Sequence, residues 1–376
     1  MKILLIARTA SRGGSASGVN NLKQALKTAG NDVILITADN ANLIAKFFRL
    51  IEYLFNRIIF GKGNNFFKFG SPSLDIIKLT KKYNPDIVQL CNISGNCIAL
   101  NEIKKIKIPV VHRLSDFWPY HGPMHYSITP YKGFFAKKIF KIINGTAIDH
   151  GIDAIVCPSE WTMDNLDLNI GLSASKNFIP NAVKSNGIVS KISSKKPLKL
   201  GLISVNLDTK RKGSSHIIPF LNNLSEKINF ILEIYGNGQI KGIETARFSY
   251  RYNGPFKLGD IKNVYMNINI LLYPPYLENS GNTITEALSF GVPVIAQSGT
   301  GNDSYVNENV GALIDYKNFS TQEYFNFLKQ IENLYSCYDT AQLNCITSVK
   351  EQYSYIAVGT KYTELYKNLN LRRGYE

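Results

Sequence analysis

Residues 271–295 read LLYPPYLENSGNTITEALSFGVPVI, and the order of elements inside this stretch decides the fold class. Residues 269–273 alternate like a strand and are stopped by Pro274 and Pro275, which cannot continue a ladder. Gly281 and Asn282 suit the start of a helix, residues 283–290 continue it, and Gly291 followed by Val292-Pro293 ends it before another apolar strand. The polar loop between strand and helix therefore lies at the carboxyl end of a strand, the edge where an open α/β sheet binds its ligand. The helix points its amino terminus at the same edge, and its unpaired N–H groups and positive dipole end favour a phosphate there.

Two carboxylates flank that turn, Glu278 before it and Glu286 inside the helix, with seven residues between them. A phosphate repels a carboxylate, so the natural partners of both are neutral hydroxyls on either side of it. Ribose hydroxyls at one end, a hexose at the other and a diphosphate between describe a nucleotide-sugar. Two glutamates alone would better suit a solvated helix face. The whole run, however, resembles the Glu-x7-Glu signature of the retaining GT-B glycosyltransferases of family 4. That resemblance places Glu278 near the donor sugar, Glu286 on the nucleotide ribose, and the residues around Gly281, Asn282 and Thr283 on the diphosphate.

Working outward, residues 198–205 begin a parallel sheet and NLDTKRKG (206–213) forms its first loop. Clustered cations there would clamp a diphosphate by charge-assisted hydrogen bonds, although a solvated basic turn carries the same residues. Relatives place an Arg five residues before the Lys-Gly pair; here that position is Leu207, so the diphosphate role falls to Lys212 first and to Arg211 as a substitute for that Arg. Residues 230–235 and 248–253 read as further strands. The turn that follows, with Gly254 and Pro255, resembles the base-binding turn of the family, and QSGTGND (297–303) supplies another glycine loop at the same edge.

The amino-terminal half opens β-α-β, with strands at 2–7 and 33–37 around a helix at 19–29. The loop between carries Ser11, Arg12, Gly13, Gly14, Ser15 and Gly18. It is not G-x-G-x-x-G, which disfavours a dinucleotide oxidoreductase. By resemblance, Gly13 and Gly14 lie over the donor diphosphate. Further strands follow at 86–90, 110–114 and 154–157, the last leading to a helix capped by Ser159. The loop LSDFWPYHGPMHYSITP (114–130) resembles an acceptor-facing segment of some family members, matched at Asp116, Trp118, His125 and Tyr126. Asp116 and His125 are accordingly candidate catalytic residues. Gly122-Pro123-Met124 and Ser115 depart from that pattern. His121 and His125 have the spacing of a helical zinc pair, but Gly122 and Pro123 oppose a helix and no third ligand stands nearby, so no metal is expected.

Residues 42–60, NLIAKFFRLIEYLFNRIIF, set Ile44, Phe47, Phe48, Ile51, Leu54, Phe55, Ile58 and Ile59 at helical spacing against Lys46, Arg49, Glu52, Asn56 and Arg57. This is either a core-facing helix or a basic amphipathic helix suited to an anionic membrane surface. GKGNNFFKFG (61–70) and YKGFFAKKIFKII (131–143) repeat the mixture of Phe and Lys.

The chain has 376 residues, 44% hydrophobic and 19% charged, which suits two globular domains and excludes wholesale disorder. Its net charge of +15 implies an anionic partner. Five cysteines, none in a Cys-x-x-Cys pair, read as free thiols of a reducing compartment. The amino terminus reads as a buried strand rather than a signal peptide, and no run approaches the length of a membrane span, so a cytoplasmic protein, at most peripheral on the membrane, is expected.

Taken together, the resemblance implies an α/β protein of GT-B fold, with two facing Rossmann-like doubly wound domains and a carboxyl-terminal helix crossing back to the first. The expected boundaries are 1–183 for the acceptor domain, 184–197 for a linker, 198–350 for the nucleotide-sugar domain and 351–376 for the returning helix, which residues 353–369 dominate. The implied reaction transfers a hexosyl group from a nucleoside diphosphate sugar to a hydroxyl with retention, without metal or other cofactor. The expected acceptor is a saccharide or lipid-linked oligosaccharide in bacterial O-antigen, capsule or exopolysaccharide synthesis. A sugar-nucleotide epimerase of similar fold is the alternative. A basic nucleic-acid-binding protein accounts for the charge but leaves both glutamates without a role.

Overall fold

Short apolar runs such as KILLIA, IVQLC and ILLY are buried along their length, the pattern of strands covered on both faces, and they assemble into parallel sheets. The computed structural model describes every residue except 12, 39–42, 61–72, 94–96, 122–133, 135–137, 139–150, 167–173, 189–196 and 374–376. The chain divides into two units, Met1–Ala182 with Tyr355–Glu376, and Val183–Ser354.

Among the described residues, unit 1 holds strands β1 (Lys2–Ala7), β2 (Asp32–Thr37), β3 (Ile87–Cys91), β4 (Val110–Arg113), β5 (Ala154–Cys157) and β6 (Ser175–Phe178). They pair in parallel in the order β2-β1-β3-β4-β5-β6. The helices described within Met1–Ala182 are α1 (Gly13–Thr28), α2 (Leu43–Phe60), α3 (Ile76–Tyr83) and α4 (Glu160–Asp164). Local chemistry sets their ends. Asp75 accepts from the Lys78 amide and Ser159 from the Thr162 amide at the starts of α3 and α4, and Asn84 closes α3 in the left-handed region.

Helix α1 begins earlier than expected. Gly13, Gly14 and Gly18 lie within it rather than in a loop. Packing overrides glycine propensity here, because Ala16, Val19, Leu22, Ala25 and Leu26 are buried together and anchor the helix from its first turn.

Unit 2 holds β7 (Leu198–Asn206), β8 (Phe230–Asn237), β9 (Ser249–Gly254), β10 (Ile270–Tyr273), β11 (Val294–Gln297) and β12 (Gly311–Ile314), parallel in the order β12-β11-β10-β7-β8-β9. Helices α5 (Ile217–Leu224), α6 (Ile261–Met266), α7 (Asn282–Ser289), α8 (Thr321–Ser336) and α9 (Tyr338–Ser348) cover it. Two apolar clusters fill its faces, one around Phe220, Leu232 and Phe327, the other around Tyr265, Leu288 and Tyr305. The chain runs outward from β7 through β8 to β9, then returns to β10 on the other flank of β7, so β7 and β10 form the topological switch point of this sheet.

Residues 184–188 are part of unit 2 rather than a free linker. The Asn186 side chain donates to the Ser289 hydroxyl at 2.9 Å, and the Gly187 amide donates to the Ser289 carbonyl at 3.0 Å. After unit 2 the chain returns to unit 1 as α10 (Tyr355–Arg373), longer than the expected 353–369. Val358, Tyr362, Tyr366 and Leu369 share a buried cluster with α1, and Gly359 permits the contact, since a Cβ there would stand 2.1 Å from the Ala25 carbonyl oxygen. All five cysteines are free, as expected.

Candidate active site

The loops that follow β7 and β10 meet at the switch point of unit 2. Gly213 closes the first loop with φ +65°, and a Cβ on it would lie 1.9 Å from the Pro274 carbonyl oxygen, so only glycine lets the two backbones touch. Two further bonds join them: the Tyr276 amide donates to the Arg211 carbonyl at 2.7 Å, and Arg211 Nη1 donates to the Leu277 carbonyl at 3.0 Å. The loop after β11 completes the surface. Its Gly301 amide donates to the Glu278 carbonyl at 2.8 Å, and a Cβ there would come within 2.1 Å of the Asn279 carbonyl oxygen.

This scaffold brings three of the expected residues into one cluster. Lys212 Nζ lies 2.9 Å and Arg211 Nη1 3.6 Å from Glu278 Oε2. The hydroxyl of Tyr273, the last residue of β10, donates to the same oxygen at 3.0 Å. The Glu278 side chain is only 14% exposed. Burial pushes its carboxyl up, but Lys212, then Arg211, and the hydrogen bonds from Lys212 and Tyr273 hold it below the ordinary carboxylate value. Glu278 is thus an ionised acceptor, and the two cations beside it are fixed in place. Tyr273 is a participant that its position before two prolines did not disclose.

Helix α7 follows Gly281 with no side-chain cap; the Asn282 amide donates to the Ser280 carbonyl at 3.1 Å, and the Thr283 amide is the next donor of its first turn. Glu286 sits one turn further along. Among the described residues no hydrogen bond or ion pair reaches its carboxyl, and burial alone raises it to about 7. The contrast between the glutamates is instructive. One is stabilised by charge already present, whereas the other is held neutral or half-charged for want of a partner.

Gly254 and Pro255 lie at the β9 end of the sheet, three strand spacings or about 14 Å from β10. Gly254 has φ +73° and open space where a Cβ would be. Next to this turn is a cavity of about 520 Å³ lined by Tyr235, Asn253, Phe256, Asn263 and Asn267 among others. The loop 297–303 is internally braced rather than open, with Asn302 Nδ2 donating to the Gln297 carbonyl at 3.1 Å and the Gly299 amide to Asp303 Oδ2 at 3.0 Å.

In unit 1, Gly13 and Gly14 form the first turn of α1, which contains no acidic residue. Asp116 is buried and accepts from the Trp118 amide at 2.9 Å, a bond that shapes its own loop. His125 and Tyr126 lie outside the described residues. His121 is a core residue stacked on Phe117, with ring centroids 4.6 Å apart. Sequence reasoning passed over the pair formed by His112 and Tyr120, 3.0 Å apart and buried. Burial, then the neighbouring Arg113, lowers His112 to about 3, so it stays a neutral partner of the tyrosine hydroxyl. Among the described residues no group of three His, Cys, Asp or Glu is placed to hold a metal ion.

Two family models match consecutive parts of the chain, "Glycosyltransferase Family 4" over residues 12–186 and "Glycosyl transferases group 1" over 189–335. No match is found among curated proteins. Solved structures similar over nearly the whole length include a sucrose-phosphate synthase from Thermosynechococcus elongatus (14% identity, 98% of this chain and 99% of that one, TM-score 0.64). An Anabaena protein, HepE, in complex with UDP and glucose is similar at 13% identity over 98% and 100%, TM-score 0.62. The lipopolysaccharide outer core galactosyltransferase WaaB, in its apo form, is similar at 14% identity over 98% and 100%, TM-score 0.61.

Proposed function

Since the chain belongs to family 4 of the glycosyltransferases and has the GT-B fold, we propose that it transfers a hexosyl group from a nucleoside diphosphate sugar to an acceptor hydroxyl, with retention of the anomeric configuration. The observation that carries this reading is the switch-point cluster, where Lys212 and Arg211 are fixed beside an ionised Glu278 and the uncapped start of α7. Breaking the bond from the anomeric carbon to the diphosphate leaves charge on the leaving oxygens. Lys212, Arg211 and the positive end of α7, with its Thr283 amide, stabilise that charge as it develops, because they are oriented before the donor arrives. Their positive charge supplies what a metal ion would otherwise provide, so turnover proceeds in the presence of a chelator. Glu278 accepts hydrogen bonds from hydroxyls of the donor sugar, and Glu286 from those of the ribose. The base rests on the Gly254–Pro255 turn.

The binding of UDP and glucose by HepE, and the lipopolysaccharide named for WaaB, support a UDP-sugar donor and a saccharide acceptor here. We place that acceptor on a lipid carrier of surface-polysaccharide synthesis, at the cytoplasmic face of the membrane.

The test is a calorimetric screen of UDP, GDP and their sugars against the wild type and Glu286→Ala. One nucleoside diphosphate sugar binds, and the substitution weakens it about tenfold or more, the value of one or two lost hydrogen bonds to an ionised group. Absence of binding to all of them sinks the donor site as described. A sugar isomer formed without acceptor would move the assignment to an epimerase.

A further inference from the structure

Helix α2 is inside out relative to its surroundings. Its only acidic residue, Glu52, is 6% exposed and Asn56 is 1% exposed, and Arg49 turns inward to donate from Nη2 to the Ala38 carbonyl at 3.1 Å. The polar side thus packs on unit 1. The apolar side faces outward. Phe47, Ile51, Leu54 and Ile58 recur at spacings of four, three and four, with Leu50 beside them, and Phe47 and Ile58 are 61% and 83% exposed. Tyr53 and Arg57 border this stripe, with Arg57 Nη1 3.4 Å from the Tyr53 hydroxyl. Scattered exposed leucines are ordinary, but a contiguous stripe of five large apolar side chains on three turns of one helix is not.

We infer that the outer face of α2 inserts into the headgroup and acyl boundary of an anionic lipid bilayer. This rests on the proposal that the acceptor is lipid-linked, and it alters the expected basis of attachment. The sequence pattern set Lys46, Arg49 and Arg57 on the polar face, opposite the apolar stripe; with Arg49 turned into the fold, apolar burial supplies the grip and the remaining cations set its sign. Charge decides between a bilayer and a second copy of the chain. No carboxylate is exposed on α2, and the chain carries +15, so a second copy approaches against repulsion whereas an anionic surface attracts. Tyr53 and Arg57 keep their polar ends at the water side while their stems flank the stripe. No helix among the described residues is long and apolar enough to cross a membrane, so the contact is one of lying in the surface.

The test is vesicle flotation of the full chain with phosphatidylglycerol–phosphatidylcholine vesicles and with phosphatidylcholine alone, next to calorimetric titration of UDP. The wild type floats with the anionic vesicles and stays bound in ~0.5 M salt, where exposed charges are screened beyond about 4 Å. The double variant Leu54→Ser/Ile58→Ser, which leaves every charge in place, partitions about tenfold or more weakly and binds UDP unchanged. Ile58→Ser alone, at the most exposed position, gives a smaller change in the same direction and serves if the double variant misfolds. Wild-type protein that ignores both vesicles, or that is wholly released by salt, overturns the inference, as does a sedimenting dimer dissociated by the serine substitutions. A chain that binds UDP yet does not float loses only this inference. One that floats but binds no nucleotide loses the donor assignment instead.

Discussion

At the scale of single residues, the two glutamates of the signature do opposite things with their protons. Glu286 has its folded-state value raised from 4.5 to about 7 by burial, so the unfolded chain releases this proton first. Between those values the native state binds more protons than the unfolded one, and the unliganded protein loses stability as pH rises from about 4.5 to 7. Glu278 has the reverse sign. Its folded value is depressed, so its contribution is present above the unfolded value and is lost as acid protonates the cluster. A donor whose hydroxyls favour the ionised Glu286 binds more tightly as pH climbs to about 7 and no tighter beyond. A nucleotide-sugar suits the measurement because its diphosphate has no ionisation in this range. Calorimetry between pH 5.5 and 8 detects proton release on binding in the wild type and none in Glu286→Gln; equal release in both would mean that another group titrates. Glu278, Lys212 and Glu286 were legible because they lie within short motifs. Tyr273 was not, because its hydroxyl meets Glu278 only after Pro274 and Pro275 have turned the chain back, and that turn leaves no mark in hydropathy.

At the scale of elements, the site is made by loops that touch through glycine. Gly213→Ala adds a methyl 1.9 Å from the Pro274 carbonyl oxygen at φ +65°, so the loop of Lys212 must withdraw from that of Glu278. The expected cost is roughly 2–4 kcal/mol in urea unfolding, with donor affinity falling alongside. Gly254→Ala, with nothing near its Cβ, is the control for stability alone, since its turn also seats the base in the proposed site; it costs about 1 kcal/mol for the positive φ. Alanine at both positions behaving alike would show that the backbone contact at Pro274 does not matter. The strong strands were readable from their apolar runs; the weak ones were not. SKNF of β6 and GALI of β12 are four residues each and exist because a neighbouring strand already presents an edge. The start of α1 was misplaced for the converse reason, since a run of glycines and serines signals a turn unless buried residues beyond it hold the helix in position.

At the scale of the whole molecule, the two units differ in how the chain builds them. Unit 2 is one continuous segment, whereas unit 1 needs a helix that follows unit 2 in sequence. That helix is tied in by more than apolar contact. The Tyr366 hydroxyl donates to Gln89 Oε1 at 2.6 Å, joining α10 to the middle of β3 where Gln89 is wholly buried. Tyr366→Phe leaves that amide oxygen unpaired and lowers the stability of unit 1 by about 1–3 kcal/mol in denaturant. Hydrogen exchange checks the locality of the effect, with faster exchange in β1, β3 and α1 and none in unit 2; a uniform change would mean that the units unfold together. The return of the final helix was legible through the family resemblance, while its grip on Gln89 was not, because 277 positions separate the two residues. The same arrangement sets an order of events on the ribosome. At 5–20 residues per second, roughly ten to forty seconds pass between completion of Ala182 and synthesis of α10. During that interval the apolar seam of α1 stands bare while unit 2 is already taking shape. The newborn chain is therefore a natural client for a chaperone at its first-made half, and a transcript cut short would yield a protein with an intact unit 2 and an unfinished unit 1.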